Sequence, residues 1–115
     1  TAQARLSVSV TMPPPLDRLV AAVNAGDFEA FIALFAPDGV VDDWGRRFKG
    51  PAAIRKWSDK ELIGERGTLT VSQVVRKKDR IAFHGDWKSD FFTGPGRFVL
   101  VLDGEHIREM RIAET

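Results

Sequence analysis

The sequence predicts an α+β domain whose helices come first and pack on one face of a long antiparallel sheet. Three observations predict it. Apolar residues in the first half recur at helical spacing. From residue 68 onward, four segments rich in β-branched and aromatic residues follow one another through short links. Glycine, proline and aspartate fall between these segments, where turn chemistry is needed. A chain of 115 residues suits one such domain and leaves little room for a second.

Residues 6–12, LSVSVTM, alternate strictly, with Leu6, Val8, Val10 and Met12 on one face. Pro13, Pro14 and Pro15 stop that segment, so residues 1–14 read as an extended arm or edge strand, and 15–115 as a single domain. Leu16, Leu19, Val20 and Val23 mark a first helix that Gly26 ends. Asp27 is placed to cap a second, in which Phe28, Phe31, Ile32 and Phe35 share a face, so that a helical hairpin is expected over residues 15–36. GVVDDW is a short strand and RRFKG its return. Pro51 opens a third helix with Ile54 and Trp57 on its apolar side, bounded by Gly64 and Gly67. Strands are expected at 68–75, 80–92, 97–103 and 106–113, with turns at Lys77-Lys78-Asp79, at TGPG (93–96) and at Asp103-Gly104.

Composition narrows the function classes. Net charge is +1, which gives no long-range attraction to nucleic acid or to an anionic membrane. The run Arg76 to Arg80 lies between two strand segments and reads as a solvated hairpin turn. No apolar run approaches a membrane span, and the N-terminus lacks a signal-peptide pattern, so a cytoplasmic protein is expected. Without cysteine there is no disulfide, thiolate zinc site or cysteine nucleophile. Two isolated histidines and scattered acids make no metal-ligand spacing, and no phosphate loop or nucleophile elbow is present, so neither metal nor cofactor is expected.

The order of an amphipathic helix ending NAGD, a second helix ending LFAPD, the strand GVVDDWG, FKGPAAIRKW, and the closing GPGRFVLVLDGEHIREMRIA resembles the nuclear transport factor 2-like superfamily, in its SnoaL-like and ketosteroid isomerase-like branch. The resemblance spans residues 15–113. It implies a curved sheet wrapped around three N-terminal helices as a cone with a deep pocket, and a homodimer. By position, it also implies that Asp43 is the acid or base.

Strand alternation agrees, since Val41 and Asp43 share one face while Val40, Asp42 and Trp44 share the other. A carboxylate among apolar side chains is a better proton acceptor at neutral pH because desolvation disfavours its charge. The competing reading is a surface pair of Asp43 with Arg46 or Arg47. The isomerases also use a tyrosine and a protonated aspartic acid. This chain has no tyrosine, and the second acid, like that of the cyclases, falls near Phe98. An indole N–H, Arg97 or His84 would have to serve instead.

On alternation Ile81, Phe83, Trp87 and Phe91 face inward and His84 outward, unless a bulge near Gly85 reverses the phase. Phe31, Phe35, Val41, Trp57, Phe83, Trp87, Phe91, Arg97 and Phe98 are the expected pocket residues. Buried aromatics are core volume first, and a ligand wall only if a space is left between them. Two functions therefore stand. One is a protein that binds an apolar or aromatic small molecule, with acid–base isomerase, cyclase or dehydratase chemistry at Asp43. The other is a non-catalytic binding or dimerisation module with a packed cone.

Overall fold

A computed structural model describes residues 11–90 and 92–113. The alternating segment therefore lies outside the described residues from 6 to 10. Thr11 to Pro13 form no regular element, and Met12 packs against the core.

Helix α1 (Leu16–Ala25) buries Leu16, Leu19, Val20, Ala22 and Val23 and ends at Gly26, whose φ of 70° is the left-handed cap that glycine adopts without a Cβ clash. The Asp27 side chain accepts from Ala30 N at 3.1 Å and opens α2. Helix α2 spans only Phe28–Ile32, not the whole stretch to residue 36. Phe35 already belongs to β1 (Phe35–Asp43), where it lies opposite Ile107, and Ile107 N donates to Leu34 O at 2.8 Å. The helix yields because Pro37 has no N–H to continue it and biases Ala36 towards an extended conformation. The helical spacing of Phe31 and Phe35 still brings the rings together, 5.1 Å apart, across the bend.

Strand β2 (Arg46–Lys49) returns from β1, and α3 (Pro51–Glu61) follows with Pro51 in its first turn. A 3-10 turn, Ile63–Glu65, leads to β3 (Thr68–Lys77), β4 (Arg80–Lys88), β5 (Thr93–Asp103) and β6 (His106–Ala113). Their spatial order is β2-β1-β6-β5-β4-β3, so the chain's last strand is interior to one curved, unclosed sheet with helices against it. The fold class is the expected α+β one. The sheet is mixed rather than wholly antiparallel, because β1 runs parallel to β6.

The expected turn at TGPG is instead the start of β5, with Gly94 opposite Trp87 and Gly96 opposite Gly85. The reversal lies just before it, closed by Ser89 N donating to Phe92 O at 3.0 Å. These glycines serve close approach. A Cβ on Gly94 would stand 3.1 Å from the Phe92 ring, and one on Gly96 3.2 Å from Phe98.

Strands β4 and β5 pair without a register break. Ile81, Phe83, Gly85 and Trp87 therefore keep the inner face, while His84 and Asp86 keep the outer. The irregularities fall on neighbouring strands, between Val71 and Gln73 on β3 just across from Gly85 and His84, between Phe35 and Val40 on β1, and opposite Val101 and Leu102 on β6. Such bulges increase local twist and bend a strand, which lets the sheet curve around α1 and α3.

Asn24 ties α1 to β3, one of the two edge strands. Its Nδ2 donates to Leu69 O at 3.0 Å and its Oδ1 accepts from Leu69 N at 2.7 Å, filling both backbone positions that an edge strand leaves open. Asn24→Ala is expected to lower unfolding free energy by about 1–3 kcal/mol, since two backbone groups lose their partners together. Urea unfolding followed by circular dichroism measures it.

Candidate functional site

The turn that joins β1 to β2 sets the site. Asp43 and Arg46 are a facing pair, and Trp44 and Gly45 between them have φ of 56° and 88°. Positive φ at both central residues is the two-residue hairpin turn whose twist suits antiparallel strands. Asp42 Oδ1 stabilises it by accepting from Gly45 N at 2.8 Å. A left-handed conformation is uncommon for a residue as bulky as tryptophan. Its consequence is directional. Trp44 leaves the alternation that would place it on the outer face and becomes part of a cavity wall.

Asp43, one residue earlier, follows the alternation and is 9% exposed. Its Oδ2 accepts from Trp57 Nε1 at 2.9 Å and from Arg46 Nη2 at 2.5 Å. Trp57 reaches it from α3, so this bond joins helix to sheet. Asp43 Oδ1 accepts no hydrogen bond among the described residues. It is not sealed in either, because Ser58 Oγ is the one fully buried side-chain polar atom among them without a partner. Asp42 goes the other way, to Arg47 Nη1 at 3.2 Å, in a cluster with Glu109 and Arg111 on the outer face.

Arg46 is shared. Glu61, at the end of α3, takes its Nη1 at 3.0 Å and its Nη2 at 2.6 Å. The hydrogen bond to Glu61, together with that to Asp43, raises the Arg46 guanidinium above its ordinary value, so it stays charged at any pH of interest. Its side chain is half exposed, and solvent screens these pairs.

These groups border a cavity of about 390 Å³. Trp57, Trp87, Phe98, Leu62, Leu69 and Ile112 supply apolar wall, and Gly94, Pro95, Gly96 and Ala113 supply backbone at its rim. Trp44 and Phe92, 62% and 60% exposed, stand at its mouth. Gly67 makes room for the wall, since a Cβ there would fall 2.3 Å from the Trp87 ring. Among the described residues no group of three or more histidines and acids is placed to hold a metal ion.

The residues expected from the sequence divide between this cavity and the core. Asp43, Trp57, Trp87 and Phe98 line it together. Phe31, Phe35, Val41 and Phe83 are nearly or fully buried in the closed core and are not among the lining residues, with Phe83 stacked on Phe98 at 4.8 Å. Arg97 is exposed and lies opposite His84 on the outer face, away from the wall. Phe91 lies outside the described residues. Sequence reasoning missed Arg46 and Glu61 as cavity groups. Their signal was faint, an arginine closing the DDWGR turn and an acid ending α3, with no periodicity to join them.

A family model for the SnoaL-like domain matches residues 16–115. A comparison with curated proteins gave no sequence match. A protein described as a candidate polyketide cyclase from Sinorhizobium meliloti is similar in structure, with a TM-score of 0.79 and 20% identity, covering 89% of this chain and 95% of that one. A protein of ketosteroid isomerase-like fold from Catenulispora acidiphila, in complex with trimethylamine, has a TM-score of 0.77 and 22% identity over 91% of this chain and 88% of that one. The protein RV0760c from Mycobacterium tuberculosis, in complex with estradiol-17β-hemisuccinate, has a TM-score of 0.77 and 26% identity over 86% of this chain and 89% of that one. With the family model matching from the start of α1 through β6, the chain belongs to the SnoaL-like domain family.

Proposed function

We propose that the protein binds an apolar or aromatic small molecule in the cavity beside Asp43, and that Asp43 is the acid or base of an isomerase, cyclase or dehydratase reaction on it. The observation that carries this reading is a carboxylate bound on one oxygen and open on the other, at the wall of a mostly apolar space. A volume of about 390 Å³ is within the usual range of ligand sites. The steroid ester held by the Mycobacterium tuberculosis relative supports a ligand of this kind. The alternative module with a packed cone requires the space to be filled, whereas Phe31 lies in the core and Trp57 lines a space of about 390 Å³.

The chemistry follows from placement. Trp57 and Arg46 fix the Asp43 carboxylate at the cavity wall through charge-assisted hydrogen bonds to Oδ2, which leaves Oδ1 to a ligand. A ligand C–H or O–H brought to Oδ1 would give its proton there and recover one from the same oxygen.

Titration with estradiol, a neutral steroid, is expected to give a saturable change in tryptophan emission, because Trp44, Trp57 and Trp87 all line the cavity. Ile112→Trp should fill the space and weaken binding at least tenfold while the circular dichroism spectrum is retained. Once a turned-over substrate is identified, Asp43→Asn should lower kcat by about 10²–10⁴, the range for loss of a general acid or base. An unchanged emission spectrum up to the solubility limit would count against the ligand reading.

We also propose that two copies pair through the outer face of the sheet. Val75, Ala82 and Val99 lie in one cross-strand row there, with Val75 62% exposed. Sedimentation at micromolar concentration is expected to give a dimer, and Val75→Lys, placing a like charge across the symmetric contact, a monomer.

A further inference from the structure

The charges around the cavity do not cancel. Among its lining residues the ionisable side chains are Asp43, Glu61 and Arg46. Glu61 holds Arg46 through both carboxylate oxygens, at 2.6 and 3.0 Å, and Asp43 holds it at 2.5 Å, so one guanidinium is shared by two carboxylates and the three together carry one net negative charge. Asp43 Oδ1 accepts nothing among the described residues. Trp44, Trp57, Trp87, Phe92 and Phe98 make up the aromatic part of the same wall. Aromatic faces carry partial negative charge and attract cations, tryptophan most strongly. Excess carboxylate and aromatic rings therefore act in the same direction.

We infer that the cavity selects a cationic ligand, an apolar or aromatic body carrying one protonated amine, with the ammonium donating to Asp43 Oδ1. This rests on the reading of the cavity as a small-molecule site and names the class of molecule it takes. An anion of the same shape would meet Asp43 without a free cation to offset it, because the guanidinium of Arg46 is held by two carboxylates. A neutral alcohol would form the hydrogen bond but gain neither the charge pairing nor the attraction of the rings.

The test uses three probes of nearly one shape, 1-adamantylmethylamine, 1-adamantylmethanol and 1-adamantanecarboxylate, titrated by calorimetry at neutral pH into the whole chain. The amine is expected to bind at least about tenfold more tightly than the alcohol, and the carboxylate most weakly. Asp43→Asn should remove the amine's advantage and leave the alcohol's affinity in place. Arg46→Gln, a change at a half-exposed side chain, should shift the amine the other way, several-fold tighter, with the alcohol unchanged. That variant keeps the test decisive if Asp43→Asn fails to fold.

An alcohol that binds as tightly as the amine, or an amine advantage that survives Asp43→Asn, would overturn the inference while the apolar-cavity reading stands. The carboxylate binding tightest would overturn it in favour of Arg46 as an anion holder. Failure of all three probes would overturn the cavity reading and this inference together.

Discussion

The hydrogen bond from Trp57 Nε1 to Asp43 Oδ2 is the constraint on which the arrangement depends. A carboxylate turned inward by strand alternation loses water, and the loss is tolerable only if donors replace it. One donor comes from α3 and the other, Arg46, from the far side of the hairpin turn. The bond therefore fixes the distance between helix and sheet at one end of the molecule. Trp57 cannot pack more deeply without abandoning the carboxylate, and the sheet cannot close on α3 without displacing the indole. The cavity opens beside this bonded pair, and both of its members line it.

The backbone supports that separation. The bulges on β3 and β6 curve the sheet, and the glycines facing Trp87, Phe92 and Phe98 let rings sit against main chain rather than project into the space. The left-handed pair at Trp44 and Gly45 turns an aromatic ring from the outer face to the mouth. Positive φ at a bulky residue stores strain that the surrounding structure must over-determine. Here the Asp42 side chain and the bond from Trp44 N to Ile112 O do so from both sides.

Much of this was legible in the sequence, and the failures share a cause. The first and third helices, the cap at Asp27 and the inward Asp43 are all set by residues close in sequence, through helical spacing, a side-chain cap or strict alternation. Where tertiary pairing competes with a local pattern, the local reading fails. Phe35 has helical spacing with Phe31, but pairing with Ile107, a strand contact across more than half the chain, takes it into β1. TGPG has turn composition, but its glycines are there for the rings of Phe92 and Phe98. The division of aromatics between core and cavity was also hidden. Phe83 and Trp87 share one face of β4, and only the position of α3 and the rim decides which of them borders empty space.

In the reading proposed, Arg46 is both a tie between elements and a determinant of the charge around the cavity. Its two bonds to Glu61 tie β2 to the end of α3, close to the Trp57–Asp43 bond and in the same sense, so the wall is closed twice. The outer pair is exposed and screened, and adds little to stability. Its larger effect is electrostatic. Had Glu61 been neutral, the guanidinium would face Asp43 alone, the wall would carry no net charge, and an anion could approach Arg46. With Glu61 present, one guanidinium serves two carboxylates, and the ionisable side chains on the wall sum to a single negative charge. Trp44, Trp57, Trp87, Phe92 and Phe98 line the same cavity, so that charge stands beside largely apolar surface.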